Sequence, residues 1–133
     1  TPGYGALWGE VNTNIHFGLG CLGVVTNGSV RDIPDSQPNF QMLAGMINPS
    51  HAWVNVIDWE LTVNVHGMEV DHNDLVHADQ HGSVVIPMTN AADIITEAEK
   101  IMARERIVIE AAQTPGFNMV KLRSAWKGMS EIH

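Results

Sequence analysis

The spacing of apolar residues changes along this chain, and that change constrains the fold more than any other feature. Apolar and polar residues alternate over residues 52–56 and 61–65, which is the period of half-buried β-strands. From Ala91 to Ala112 the apolar residues instead recur at the spacing of one helical face, with Asn90 as a plausible N-cap. A chain with strands in its middle and a long helix near its end is predicted to have an α/β fold.

The first fifty residues predict a loop, a helix and a strand in succession. The glycine-rich opening is typical of a loop as far as Gly9-Glu10, where a short helix over Val11–Leu19 begins. A strand over Leu22–Thr26 follows, and Asn27-Gly28 is predicted to end it as a turn because this pair tolerates positive φ. Prolines then make long elements improbable, and Phe40–Ile47 is predicted as one further short strand.

Turn signals divide the remainder of the chain. His66-Gly67 predicts a turn, and residues 74–78 and 83–87 predict a β-hairpin around a short polar loop. Thr114-Pro115-Gly116 is predicted to end the long helix, and a short final helix is predicted over Asn118–Trp126. No internal repeat or linker interrupts this pattern, so we expect residues 1–133 to form a single domain.

Charge and cysteine content exclude several classes of protein. The chain has a net charge of −8, whereas nucleic-acid binding requires clustered basic side chains, so we expect no nucleic-acid partner. No apolar run approaches the roughly 20 residues that span a bilayer, so we expect no membrane segment. With one cysteine and no charged-then-apolar leader at its start, the chain is predicted to be cytoplasmic.

One basic residue stands alone in the acidic part of the chain. Arg31 is the only Lys or Arg in residues 1–99, which hold twelve acidic residues, and Asp32 follows it directly. A surface ion pair or a turn-capping aspartate is the ordinary explanation. However, an arginine can hold a carboxylate with two hydrogen bonds, and an aspartate can hold a hard divalent cation. The pair after a predicted strand therefore suits a substrate that carries a carboxylate beside a carbonyl.

Two other groups leave alternatives open. Four histidines and three aspartates lie close together in sequence and could bind zinc, but their spacing matches no standard zinc pattern, so turn and cross-strand roles are favoured: His66, Asp71, His72, Asp74, His77, Asp79 and His81. Glu105 falls on the apolar stripe of the long predicted helix, where an unpaired carboxylate is costly. It is either an interface residue or a functional one.

Three segments in the same order resemble the RraA-like family, which includes 4-hydroxy-4-methyl-2-oxoglutarate aldolase with oxaloacetate decarboxylase activity and the protein regulators of ribonuclease E. They are GALWGEVNTNIHFGLGCLGVVTNGSVRD, VHGMEVDHNDLVHADQHGSVVIP and the helix containing EAEKIMARE. The resemblance implies a β/β/α barrel-like domain with a central mixed sheet and flanking helices. It covers the chain from Gly5 to about Trp126.

The resemblance also implies roles for individual residues. Asp32 matches the aspartate that ligates Mg²⁺ or Mn²⁺, and Arg31 matches the arginine that binds the pyruvyl carbonyl and stabilises the enolate. Glu10 matches the acidic residue at the mouth of the site. The backbone amides of Val11 and Asn12 match donors that receive the substrate carboxylate, which agrees with the affinity of a helix N-terminus for anions.

The implied assembly is a homotrimer or a hexamer with sites at subunit interfaces, in which Glu105 would reach the site of a neighbouring subunit. The implied function is a class II, metal-dependent lyase that cleaves 4-hydroxy-4-methyl-2-oxoglutarate-like substrates or decarboxylates oxaloacetate to give pyruvate. A non-enzymatic regulator resembling the ribonuclease E inhibitors is the main alternative, and a structural relic is another.

The sequence departs from the family pattern in three places. Asn27 stands where the family usually has aspartate, and His72-Asn73-Asp74 replaces Pro-Gly-Asp. Family members also carry helices and strands before the glycine loop, so we expect an N-terminally truncated domain.

Overall fold

A computed structural model describes residues 4–131 of the chain. Its elements, with a 3₁₀ turn at Ile33–Asp35, are β1 (Ala6–Trp8), α1 (Glu10–Gly18), β2 (Gly23–Val30), β3 (Gln41–Ile47), β4 (Val63–Val65), β5 (Met68–Val70), β6 (Leu75–Asp79), β7 (Gly82–Ile86), α2 (Ile94–Ala112) and α3 (Met119–Met129). The chain divides into two compact units, one that ends at Pro87 and one that begins at Met88. The fold is of the mixed α/β class, as predicted, and barrel-like closure stays a prediction.

The first unit is built on a parallel three-stranded sheet in the order β1-β2-β3. The sequence predicts a loop where β1 lies, and this prediction is wrong because the short strand is paired on both sides. Ala6 lies opposite Ser29 of β2, and on its other side its amide donates to the Ser50 carbonyl at 2.8 Å. Long-range pairing of this kind leaves no local signal in a glycine-rich stretch.

Strand β2 runs through Asn27-Gly28, so the predicted turn there is wrong. Thr26 pairs with Ala44 and Ser29 with Met46, which sets two residues of β2 against Gly45 of β3. This count defines a β-bulge. The hydroxyl of Thr26 accepts a hydrogen bond from the Gly28 amide at 3.0 Å, which satisfies an amide displaced from the ladder.

Antiparallel pairing among the described strands is confined to two hairpins. β4 pairs with β5 across the predicted His66-Gly67 turn, and β6 pairs with β7 across residues 80–81. Among the described strands the central sheet is therefore parallel, whereas the resemblance implies a central mixed sheet, and the antiparallel pairs form two separate hairpins. Residues 52–56 alternate in sequence but form no strand, because alternation produces a strand only where a neighbouring strand takes up its hydrogen bonds.

The second unit is a pair of helices, α2 and α3, that pack against each other. α2 begins at Ile94 after Asp93, three residues later than predicted, and ends at Ala112 as predicted. Asn118 caps α3, since its side chain accepts hydrogen bonds from the amides of Val120 and Lys121 at 2.9 and 3.2 Å. Within residues 4–131, no helix has the length and apolar character needed to cross a bilayer.

Candidate functional site

The ends of two adjacent parallel strands bring the first site residues together. Trp8 is the last residue of β1, and its carbonyl accepts a hydrogen bond from the Arg31 amide at 2.9 Å, just past the end of β2. Gly9 follows Trp8 and lies beside Arg31 and Asp32, and Glu10 is the next residue. In parallel sheets the carboxyl ends of the strands are the usual place for ligand binding.

Arg31 and Asp32 form a close ion pair at this edge. Arg31 Nη1 donates to Asp32 Oδ2 at 2.6 Å, and the two side chains are only 24% and 34% exposed. The backbone of Asp32 is left-handed, with φ of 52°, which is uncommon outside glycine and best tolerated by Asn and Asp. The pair is thus partly buried, in contrast to an ordinary surface ion pair.

Gly9 leaves the space in which this ion pair lies. A Cβ atom at residue 9 would lie 2.8 Å from Asp32 Oδ2 and 3.0 Å from Arg31 Cγ, both closer than ordinary contact. The backbone of Gly9 is extended, with φ of −169°, so its conformation alone does not require glycine. Close packing against both charged side chains is the reason that this position has no side chain.

The guanidinium of Arg31 has hydrogen-bonding capacity that the site does not use. Its Nε is buried and has no hydrogen-bond partner among residues 4–131. A buried donor without an acceptor costs free energy of about 1–3 kcal/mol. A bound ligand would remove this cost if one of its oxygen atoms accepted a hydrogen bond from Arg31 Nε.

Helix α1 begins at the same edge and supplies backbone donors. The first hydrogen bond of the helix runs from the Thr13 amide to the Gly9 carbonyl at 3.0 Å. The amides of Glu10, Val11 and Asn12 precede it and have no acceptor within the helix. The side chains of Glu10 and Val11 are exposed, whereas that of Asn12 donates to the Leu7 carbonyl at 2.6 Å.

Thr13 is a buried polar residue at this site that the sequence analysis did not identify. It is 0% exposed. Its hydroxyl lies 2.9 Å from the Gly9 carbonyl and 3.0 Å from the Glu10 carbonyl, and it accepts a hydrogen bond from the Gln37 amide at 3.0 Å. The spacing of four residues from Gly9 was a local signal for the first of these contacts, but no signal indicated Gln37.

The remaining predicted site residue lies in the other unit. Glu105 is on α2 with an exposed side chain, whereas Arg31 and Asp32 belong to the unit that ends at Pro87. Its participation in a site stays a prediction. Its exposure already removes the expected cost of a carboxylate on an apolar helical stripe.

Two of the clustered histidines, His77 and His81, contact Asp79 at the β6–β7 turn. The Asp79 carboxylate accepts a hydrogen bond from the His81 amide at 2.7 Å and lies 3.3 Å from His81 Nδ1 and 3.9 Å from His77 Nε2. These contacts, led by the backbone amide of His81, lower the pKa of Asp79 below its ordinary value. The contacts support the turn role that the sequence analysis favoured.

The donor chemistry at Asp32 fits a hard divalent cation that keeps most of its water. Its carboxylate is partly open to solvent. Mg²⁺ commonly binds through one or two carboxylates with water in the other positions. The described part of the chain holds no group of three or more Cys, His, Asp or Glu residues arranged to bind a metal.

A cavity of about 480 Å³ lies away from this edge of the sheet. It is lined by the starts of β2 and β3, from Leu22 to Val25 and from Gln41 to Leu43, and by the β6–β7 hairpin. None of its lining residues belongs to the Arg31 site. Proximity of charged groups and free amides, rather than cavity size, therefore identifies the candidate site.

Comparison with known proteins gives consistent results. A family model described as RraA-like, Aldolase/RraA, matches residues 2–85. The uncharacterized protein MJ0644 of Methanocaldococcus jannaschii is 32% identical over 110 residues, which cover 79% of this chain and 51% of that protein. The crystal structure of an uncharacterized protein from Pseudomonas syringae pv. tomato has a TM-score of 0.70 at 23% identity and covers 95% of this chain and 59% of that one. This chain thus spans little more than half the length of either protein.

Proposed function

Because this chain belongs to the RraA-like family, which includes aldolases and ribonuclease E regulators, we propose that it is a divalent-metal-dependent lyase of 2-oxo acids. The reaction is retro-aldol cleavage of 4-hydroxy-4-methyl-2-oxoglutarate-like substrates, decarboxylation of oxaloacetate, or both, with pyruvate as the product. One observation carries the proposal: the partly buried contact of Arg31 with Asp32 beside Gly9, next to the first turn of α1.

Arg31 and the start of α1 would bind opposite ends of the pyruvyl group. The amides of Val11 and Asn12 point out of the helix N-terminus and attract the carboxylate. The guanidinium of Arg31 donates hydrogen bonds to the 2-oxo oxygen, on which negative charge grows as the bond between C3 and C4 breaks. Donors that are already in place for this charge stabilise the transition state more than the substrate.

Asp32 would hold Mg²⁺ or Mn²⁺, which when bound supplies Lewis-acid polarisation of the 2-oxo acid. Glu10, whose side chain is exposed, would lie at the mouth of the site, where its carboxylate would hold a water molecule. In the retro-aldol reaction a proton leaves the 4-hydroxyl group as the bond breaks, and the resulting enolate takes up a proton to give pyruvate. In the decarboxylation, carbon dioxide leaves in place of the second carbonyl product.

Assembly into a homotrimer or a hexamer belongs to the same proposal. In that arrangement Glu105 of one subunit would contribute to the site of the next. The exposed position of Glu105 on α2 leaves it free for such a contact. The chain covers only 51% of its curated relative, so activity is proposed for these residues and is to be tested on them directly.

The test is release of pyruvate from both substrates, with Mg²⁺, with Mn²⁺ and with chelator. We expect metal-dependent release by the wild type and a loss of at least about a hundredfold in Asp32→Asn, because the amide cannot replace the charge of the carboxylate. Asn tolerates the left-handed backbone, so the variant is expected to fold. Asp35→Asn, which changes a neighbouring carboxylate in the 3₁₀ turn, is the matched control and should retain activity.

Absence of pyruvate release under every metal condition would contradict the lyase proposal. Direct binding to ribonuclease E in that case would favour the regulator alternative. Equal activity of Asp32→Asn and the wild type would remove Asp32 from the site.

A further inference from the structure

We propose that Thr13 is a positioning residue for this site: its buried hydroxyl fixes the segment from Asp32 to Gln37 against the first turn of α1. The inference rests on the proposed function for its catalytic consequence. Its structural part, the attachment of the segment to the helix, stands on the contacts of Thr13 alone.

The hydroxyl of Thr13 uses both its donor and its acceptor capacity without contact with water. A threonine hydroxyl has one hydrogen to donate, and here the Gly9 and Glu10 carbonyls compete for it at 2.9 and 3.0 Å. The same oxygen accepts from the Gln37 amide at 3.0 Å. Helical threonines often donate to the carbonyl four residues earlier, but acceptance from an amide 24 residues later joins separate parts of the chain.

The segment that Thr13 holds also has hydrogen bonds within itself. The Asp35 amide and the Ser36 hydroxyl both donate to the Asp32 carbonyl, at 3.1 and 2.9 Å. These bonds make the segment a compact turn, but they do not attach it to α1. The bond from Gln37 to Thr13 supplies that attachment.

The contacts around Thr13 form a closed ring. Its hydroxyl binds the Gly9 carbonyl on one side and Gln37 on the other, and the segment returns from Gln37 to Asp32. The Asp32 carboxylate then lies against Gly9, where a Cβ would be 2.8 Å from Oδ2. A change at Thr13 is therefore transmitted to the position of Asp32 through the backbone between Gln37 and Asp32.

Variants of Thr13 that lack or keep the side-chain hydroxyl test whether it holds the segment from Asp32 to Gln37 in place. Thr13→Val keeps the shape of the side chain but leaves the partly buried Gln37 amide without its acceptor. Thr13→Ser keeps the hydroxyl. Thr26→Val is a matched control, because Thr26 also accepts a backbone amide, that of Gly28 at 3.0 Å, but lies at the β2 bulge away from Asp32.

The experiment measures amide hydrogen exchange of the metal-free protein together with Mn²⁺ affinity and the separate changes in kcat and KM. In Thr13→Val we expect the Gln37 and Asp35 amides to exchange about tenfold faster or more, and Mn²⁺ affinity to fall about tenfold, as for loss of a group that orients a metal ligand. Thr13→Ser should restore both quantities. Thr26→Val should alter exchange at Gly28 and leave Mn²⁺ affinity unchanged.

Three results would overturn the inference: unchanged Asp35 exchange in Thr13→Val, an equal loss of Mn²⁺ affinity in Thr26→Val, or no rescue by Thr13→Ser. If Thr13→Val does not fold, the wild type still decides, because rapid exchange of its Gln37 amide would show that the attachment does not hold. If the wild type binds no Mn²⁺, the proposed function fails, and the exchange pattern alone confirms or refutes the role of Thr13.

Discussion

Gly9 and Asp32 are the two residues whose local geometry depends most directly on each other. Asp32 has a left-handed backbone, and its carboxylate lies against Gly9 and Arg31. Gly9 lacks the side chain that would occupy this space. The position of the Asp32 carboxylate, the candidate metal ligand, therefore depends on the absence of a Cβ atom at Gly9 as well as on its contact with Arg31.

We predict that Gly9→Ala disrupts the ion pair and strongly reduces pyruvate release. The new methyl group would lie 2.8 Å from Asp32 Oδ2 and 3.0 Å from Arg31 Cγ, so at least one charged group must move. Displacement of a catalytic group by about 1 Å can cost about a hundredfold in rate. Steady-state kinetics and Mn²⁺ titration of the variant measure the effect.

Gly18→Ala is the control for this prediction, since residue 18 is the last of α1 and a Cβ there would have no atom within 4 Å. It should keep activity and increase the free energy of unfolding by up to about 1 kcal/mol. Equal activity of Gly9→Ala and Gly18→Ala would contradict the proposed packing at residue 9.

At the residue scale, the sequence identified Arg31 and Asp32 as candidate site residues but did not identify Thr13. Arg31 was conspicuous because it is the only basic residue in the first 99, and Asp32 is its neighbour. The importance of Thr13 arises from its contact with Gln37, which only the folded chain creates. A threonine inside a helix has no feature in sequence that separates such a contact from an ordinary buried position.

At the scale of elements, local turn signals failed where long-range pairing acts on the same residues. Asn27-Gly28 is a strong hairpin signal, but β2 has β1 on one side and β3 on the other, and the extra residue is accommodated as a bulge. The hairpin at β6 and β7 and the short helix after residue 118 were predicted correctly, because their determining contacts are close in sequence.

The cap of α3 gives a prediction for the second unit. Asn118→Ala removes the acceptor of the Val120 and Lys121 amides and should lower the free energy of unfolding by about 1 kcal/mol. Asp93→Ala at the start of α2 is the matched control, because the Asp93 side chain makes no capping hydrogen bond, and its effect should be smaller. Urea denaturation followed by circular dichroism compares the two variants, and a larger loss in Asp93→Ala would contradict this assignment.

The β6–β7 turn gives a prediction about pH. Because the folded-state pKa of Asp79 is lowered, its contribution to stability is complete above the pKa of the unfolded chain and is lost as pH falls through the folded-state value. In His81→Ala the pKa should remain partly lowered, since the backbone amide of residue 81 is the largest cause. NMR titration of the Asp79 carboxyl group measures this, and a return to the value of an unstructured peptide would refute the role of that amide.

At the scale of the whole molecule, charge is distributed unequally between the two units. Residues 1–87 hold nine acidic residues and one basic residue, whereas residues 88–133 hold six of each. The entire net charge of −8 therefore belongs to the unit that contains Arg31 and Asp32. An excess of negative charge around the site favours accumulation of divalent cations there and opposes the approach of an anionic substrate until a cation is bound.

Several large apolar side chains of the protein are exposed to solvent. Trp53 is fully exposed and Trp59 is 72% exposed, on a stretch without regular pairing, and apolar residues of α2 such as Ile95 and Ile101 are also exposed. Monomeric proteins rarely expose extended apolar surface, which is more typical of interaction sites. Association of this protein with itself stays a prediction, which the family resemblance implies.

We predict that the protein in solution has the mass of a homotrimer or a hexamer, as measured by light scattering after size-exclusion chromatography. Trp53→Ser should shift the mass towards the monomer, because burial of a tryptophan is among the largest single contributions to an interface. Leu19→Ser removes another exposed apolar side chain, at the end of α1, and should leave the mass unchanged. A stable wild-type monomer would exclude Glu105 from any neighbouring site. If that monomer also released pyruvate, catalysis would depend on Arg31, Asp32 and Glu10 within one chain, and the lyase proposal would survive without the assembly.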